Sequence, residues 1–239
     1  MFNLNTGLLD YLMPNGIAPL ALFGSLFAVL MASYLLGSIN SAILISKVIY
    51  KEDIRTKGSG NGGMTNMLRS FGGKAALLTL AGDLSKTAIS IFIAGLVFGF
   101  QYIGGISVSE FCYVAGLFAV LGHIFPIYYR FKGGKGVLVT STMALILTPV
   151  PFLILFCIFA AVYGMSKYIS LGSVSVAVLY PVLLHGTFLV KFNGMNMPGL
   201  IALSTIVLAI LIVWCHRENL KRISEGKERK TYLRKKKDD

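Results

Sequence analysis

Charge is scarce in this chain: 13% of its 239 residues are Asp, Glu, Lys or Arg, against 55% that are hydrophobic. No such charge falls between Asp10 and Lys47, Lys86 and Glu110, Glu110 and Arg130, Lys135 and Lys167, Lys167 and Lys191, or Lys191 and His216. Each gap can hold the roughly 20 helical residues that cross about 30 Å of hydrocarbon. With a mean hydropathy of +0.74, this excludes an ordinary soluble domain.

Cysteine is also scarce. Cys112, Cys157 and Cys215 sit within or at the ends of apolar runs without metal-ligand spacing, so they read as packing residues and no metal centre is expected. The opening MFNLNTGLLD has no basic stretch, so the first apolar run is expected to be retained as a span. Acidic residues number 10 against 22 Lys and Arg, a net charge of +12 concentrated in 47–74, 130–135 and the tail from Arg217 to Lys237. In a membrane protein that asymmetry sets orientation and attracts anionic lipid, as for Lys235, Lys236 and Lys237. Nucleic acid is not an expected partner.

Topology turns on residues 136–166, where Thr148-Pro149-Val150-Pro151 interrupts a long apolar run. Proline disfavours helix at its own position and at the residue before it, which splits the run in two. The spans are then about 18–46, 74–101, 108–127, 137–148, 150–166, 171–190 and 198–215. Seven passes put the basic segments, Lys167 and the tail in the cytoplasm and leave Lys191 outside; a single pass at 136–166 would turn Lys167 and the tail outward. The fold class is therefore an all-α, polytopic membrane protein with its N-terminus outside and its C-terminus cytoplasmic. The span 137–148 is too short for a full crossing, so a half-length helix buried in protein is expected. One domain covers the chain, with an external extension of about 1–17 and a cytoplasmic tail of about 217–239.

The polar segments are few. DIRTKGSGNGGMTNMLRSFGGK, 53–74, places six glycines among Ser59, Asn61, Thr65, Asn66, Arg55, Lys57, Arg69 and Lys74. Such a loop can wrap a phosphate, helped by a helix starting near Thr65; a merely basic loop would not need so many glycines. RFKGGKGV, 130–137, is not a nucleotide P-loop, because the first glycine of that pattern falls on Tyr129 and its Ser or Thr on Gly136. It remains a glycine turn flanked by Lys132 and Lys135 that opens a short helix, a geometry suited to one phosphate.

In YISLGS, 168–173, Ser170 and Ser173 are either helix caps or hydroxyls lining a pocket. His216 and Asn219 are three apart where the last span leaves the membrane, and on a continuing helix they share a face; the imidazole suits acid, base or oxyanion chemistry. Asp83 and Lys86, also three apart, are expected to pair toward the bundle interior in a structural role.

GSINSAILISK at 37–47, DIRTKGSGNGGMTNMLR at 53–69, GDLSK at 82–86, GHIFPIYYRFKGGKGV at 122–137, YISLGS and HRENLKRISEGKE at 216–228 together resemble the bacterial acyl-phosphate:glycerol-3-phosphate acyltransferase family. The resemblance runs in order over about 20–230. It implies a seven-span inner-membrane enzyme, without a cofactor, that moves an acyl group from acyl phosphate to the 1-hydroxyl of glycerol 3-phosphate. The product is lysophosphatidic acid, the first acylation of phospholipid synthesis, and an acyl-phosphate synthase would act upstream.

By resemblance Ser59 and Arg69 are needed for activity, and Gly133, Gly134 and Gly136 with Lys135 bind glycerol 3-phosphate. His216 and Asn219 belong to the reaction centre, Glu228 to structural integrity, and Ser173 to the pocket. Asn40 stands where the family often has Pro, Leu138 where Ala is usual, and Met64 in a loop position that could bear on acyl-chain preference. The soluble acyltransferase pattern of His followed five positions later by Asp is absent, since Tyr128, Val190 and Lys221 follow His123, His185 and His216 at that distance. The competing class is an organic-phosphate transporter, which would place polar sites near the midplane and open to both sides.

Overall fold

The computed structural model describes residues 4–13, 18–103, 106–107 and 109–231. The expected lipid-binding lysines Lys235, Lys236 and Lys237 lie outside these residues. The helices run α1 Gly7–Leu12, α2 Pro19–Ser38, α3 Ser41–Ile49, α4 Met64–Phe71, α5 Gly73–Phe98, α6 Glu110–Ile124, α7 Val137–Leu147, α8 Pro149–Ser166, α9 Ile169–Lys191 and α10 Gly199–Ser224. A two-residue antiparallel pair, Tyr102–Ile103 with Ile106–Ser107, closes the turn after α5.

Among the described residues six helices are long and apolar enough to cross a membrane, and α7 is a shorter apolar helix. Its 11 residues span about 16 Å at 1.5 Å each, half a bilayer. The half-length helix is as expected, and it ends where Thr148 turns the chain into Pro149 at the start of α8. The Thr148 hydroxyl contacts the Tyr180 hydroxyl at 3.2 Å, which gives this buried corner a polar partner. At the opposite end Glu110 accepts the Leu200 N–H at 2.9 Å and so caps the start of α10.

α6 is the central helix and packs against α2, α5, α7 and α10. Its crossing with α2 is made by small residues: a Cβ on Gly37 would overlap the Ala119 backbone, and one on Gly122 the backbone at Tyr34 and Ser38. Close approach through small residues is how helices associate in lipid, where apolar burial gives no advantage over the surrounding tails. Around this core, Phe23, Phe27, Leu153, Phe156, Val182 and Ile210 turn outward as an apolar shell.

One expected boundary is corrected. The first span does not run to residue 46. It breaks at Ile39, and Asn40 caps a separate α3 by accepting the Ile43 N–H at 3.0 Å. The last helix continues past the span 198–215 to Ser224, carrying His216 and Asn219 on buried positions of a regular helix.

Candidate active site

The loop 50–63, the turn 125–136, the α8–α9 corner and the C-terminal segment 225–231 gather at one end of the bundle. Arg55 joins the first two: its Nε and Nη2 grip Asp53, and its Nη1 donates to the carbonyls of Tyr129 at 3.1 Å and Lys132 at 3.4 Å. The Arg55 guanidinium holds the Asp53 carboxyl far below the usual range, more than offsetting its partial burial.

Asn66 organises the first loop from within. Its amide N–H groups face the carbonyls of Ile54, Lys57 and Asn61 at 2.9–3.2 Å, and its Oδ1 accepts the Ser59 N–H at 3.0 Å. Asn66, expected in the phosphate-wrapping loop, is buried, and its side chain holds Ser59 in place. Ser59 itself is exposed at the loop tip, and Asn61 and Thr65 are half-buried beside it. The helix expected near Thr65 is α4, beginning at Met64 and carrying Arg69 in its last turn.

In the glycine turn the chain doubles back on the end of α6, so that Gly133 N–H donates to Ile124 O at 3.2 Å and Gly134 N–H to His123 O at 3.1 Å. These two N–H groups thus satisfy helix-end carbonyls. The glycines are required by proximity: a Cβ on Gly133 would overlap the His123 carbonyl, and one on Gly134 the His123 ring and the Gly62 carbonyl. Gly136, at φ +79°, forms the left-handed entry to α7. The first-turn N–H groups of α7, Val137 to Val139, have no partner inside the helix, and Lys135 stands just before them in the chain.

Lys135 is half-buried, and its ammonium donates to Asn219 Oδ1. Asn219 Nδ2 donates to Glu228 Oε1 at 2.6 Å, and Glu228 also accepts from Arg222 Nε at 2.7 Å and Ser170 Oγ at 3.3 Å. Burial pulls Lys135 down from the ordinary lysine value to about 8; the Glu228 carboxylate opposes this, while Arg222 and Arg69 add to it. Burial pushes Glu228 up, but the hydrogen bonds from Asn219 and Arg222 prevail and its carboxyl lies below the usual value.

One turn before Asn219, buried His216 has Nδ1 at 2.7 Å from Ile212 O. A carbonyl only accepts, so Nδ1 carries the proton and Nε2 is left as the acceptor. Arg69 donates to the Thr231 hydroxyl, Thr231 N–H donates to Lys167 O at 3.0 Å, and Tyr163 donates to Thr231 O at 2.9 Å. The C-terminal segment is thus a strap from α10 across the α8–α9 corner to α4.

The structure therefore brings Lys135, Asn219, Glu228 and Arg69 together with His216 on the adjoining helix turn. Ser173 is not among their contacts, because its hydroxyl turns back to Ile169 O at 2.8 Å; Ser170 is the serine that reaches Glu228. Neither serine caps α9, whose N-cap is Tyr168. The Lys132 side chain is exposed. Asp83 and Lys86 pair at 2.9 Å in the interior, as expected. The contacts of Arg55 with the turn, of Thr231 with Arg69 and of His123 with Lys86 have no signal in the sequence, since they run through carbonyls or through partners far along the chain.

The sequence model of the glycerol-3-phosphate acyltransferase family matches residues 27–226. The chain is 37% identical over 197 residues to a glycerol-3-phosphate acyltransferase of Finegoldia magna, covering 82% of this chain and 91% of that one. To a glycerol-3-phosphate acyltransferase of Pseudomonas fluorescens it is 40% identical over 197 residues, 82% of this chain and 95% of the other. It superposes with a TM-score of 0.74 and 31% identity on the glycerol 3-phosphate form of PlsY (YgiH), an integral membrane glycerol 3-phosphate acyltransferase, over 87% of this chain and 96% of that one. The lysophosphatidic acid form of the same protein gives 0.72.

Proposed function

The chain belongs to the glycerol-3-phosphate acyltransferase family, and on that premise we propose that it takes its acyl group from acyl phosphate and delivers it to the 1-hydroxyl of glycerol 3-phosphate. Acylation of glycerol 3-phosphate in phospholipid synthesis is the family's activity. The donor, the cytoplasmic placement of the site in the inner membrane and an upstream acyl-phosphate synthase are our reading. The observation that carries it is the chain Lys135–Asn219–Glu228 beside His216, with Arg69 close by. It supplies cations and an oriented imidazole acceptor at one end of a bundle with an apolar outer shell, as two phosphate-bearing substrates, one with an alkyl chain, require.

Lys135 and the N-terminus of α7 hold the phosphate of glycerol 3-phosphate. Gly133, Gly134 and Gly136 shape that cradle, with Lys132 near its rim and Asn61 and Thr65 contributing from the first loop. Arg69 and Ser59 face the acyl phosphate. His216 Nε2 accepts a hydrogen bond from the glycerol hydroxyl and aims its oxygen at the acyl carbonyl, and Asn219 keeps Lys135 in register. Ser173 packs behind the site and Glu228 anchors it.

An acyl phosphate is already activated, so alignment and stabilisation of the tetrahedral oxyanion are the main requirements. The hydroxyl oxygen bonds to the acyl carbon, the bond from that carbon to the phosphate oxygen breaks, and the hydroxyl proton passes by way of His216 Nε2 to the departing phosphate. No acyl-enzyme forms. The test is purified protein given labelled glycerol 3-phosphate with either acyl phosphate or acyl-CoA. Labelled lysophosphatidic acid with acyl phosphate alone is expected; product with acyl-CoA alone would overturn the donor assignment.

A further inference from the structure

A second polar cluster lies inside the bundle, behind the glycine turn. Where α2 breaks, the Ile39 carbonyl is left without a helical partner and accepts from Lys86 Nζ at 3.0 Å. The same ammonium meets Asp83 Oδ1 and His123 Nδ1, each at 2.9 Å, giving three acceptors for its three N–H groups. Asp83 Oδ1 also accepts from Ser41 Oγ at 2.9 Å. Ser41, Asp83, Lys86 and His123 are each at most 5% exposed.

Bundle stability alone does not call for this arrangement, because buried ion pairs contribute little that apolar packing of the same volume would not. The placement of His123 suggests the reason. Its ring occupies the space a Cβ on Gly134 would need, and its carbonyl accepts the Gly134 N–H. The same Cβ would also meet the Gly62 carbonyl, which Asn40 holds through its Nδ2 at 3.1 Å. Lys86 fixes the ring, since a charged ammonium can only donate to Nδ1 and the ring proton is then on Nε2, toward Gly134.

We propose that Asp83, Lys86 and His123 are positioning residues for the acceptor substrate: they seat the His123 ring against Gly134 and so set where Lys135 and the start of α7 meet the phosphate of glycerol 3-phosphate. The inference rests on the assignment of that phosphate to the turn. The phosphate is remote from the reacting hydroxyl, so a shift of its cradle weakens binding of the acceptor and leaves the donor untouched.

Steady-state kinetics on Lys86→Met, His123→Ala and His123→Asn, with Gly134→Ala in parallel, test it. Lys86→Met and His123→Ala are expected to raise KM for glycerol 3-phosphate about tenfold or more, with kcat and the donor KM within about twofold. His123→Asn, which retains an acceptor near Nδ1, is expected to raise it less. If the cluster only supports folding, the variants lower kcat through loss of active protein at unchanged KM, and the proposal fails. Should Lys86→Met or His123→Ala not fold, His123→Asn decides by the same criterion. Gly134→Ala separates the two levels: no change in its KM would remove the phosphate from the turn, whereas a raised KM there with none in the cluster variants would overturn the positioning role alone.

Discussion

Asn219 stands between Lys135 and Glu228, accepting from the ammonium through Oδ1 and donating to the carboxylate through Nδ2. A carboxylate in its place would neutralise Lys135, whereas the amide fixes the side chain and leaves the charge for a substrate anion. Asn219→Asp is therefore expected to raise KM for glycerol 3-phosphate by about tenfold or more, a change near 1.4 kcal/mol. Michaelis profiles of the variant check it; an unchanged KM would mean that Lys135 does not bind the phosphate.

The depressed Lys135 gives a signature in pH. With its charge lost as pH rises through about 8, kcat/KM for glycerol 3-phosphate is expected to fall on the alkaline side with that apparent value. Bound phosphate stabilises the ammonium, so the corresponding limb of kcat moves to higher pH. Lys135→Arg, which stays charged throughout, is expected to abolish the limb. A wild-type profile flat to about pH 10, where an ordinary lysine titrates, would contradict the assignment.

Most of the architecture could be read from charge and proline placement. The half-length α7 follows from Pro149 and Pro151 together with the sidedness of Lys167 and the tail. The break after Ser38 could not, because GSINSA is uncharged and Asn40 reads as an interruption only once its cap on α3 is seen. The glycines of the turn stand out in the sequence, but composition shows only that the backbone must come close to something, and not that the neighbour of Gly134 is the His123 ring. The pairing of His123 could not be read from the sequence, because its partners Asp83 and Lys86 lie about 40 residues upstream and meet it only through packing of α5 on α6.

Glu228 is the acceptor common to Asn219, Arg222 and Ser170. Glu228→Ala leaves those donors unmatched and is expected to cost about 2 kcal/mol of stability. Thermal unfolding in detergent should show a lower midpoint, with glycerol 3-phosphate KM raised as Asn219 loses its orientation. A midpoint equal to wild type would show that the strap does not depend on this residue.

Gly136 enters α7 at φ +79°, with Val120 and Ile124 side chains 3.0–3.1 Å from where a Cβ would lie. Gly136→Ala is expected to cost about 1–2 kcal/mol from backbone strain, seen as a lower unfolding midpoint and accompanied by weaker acceptor binding.

Direct transfer predicts that labelled acyl phosphate, mixed with the enzyme in the absence of glycerol 3-phosphate, leaves no label on the protein after denaturation. Stoichiometric labelling would replace direct attack with a covalent intermediate.

The anion cradle of Lys135 and the α7 N-terminus is most directly tested by calorimetric binding of glycerol 3-phosphate to detergent-solubilised enzyme without donor. Wild type is expected to bind, and Lys135→Met to bind about tenfold or more weakly, the loss of one charge-assisted contact. Equal affinity in the two proteins would contradict the account.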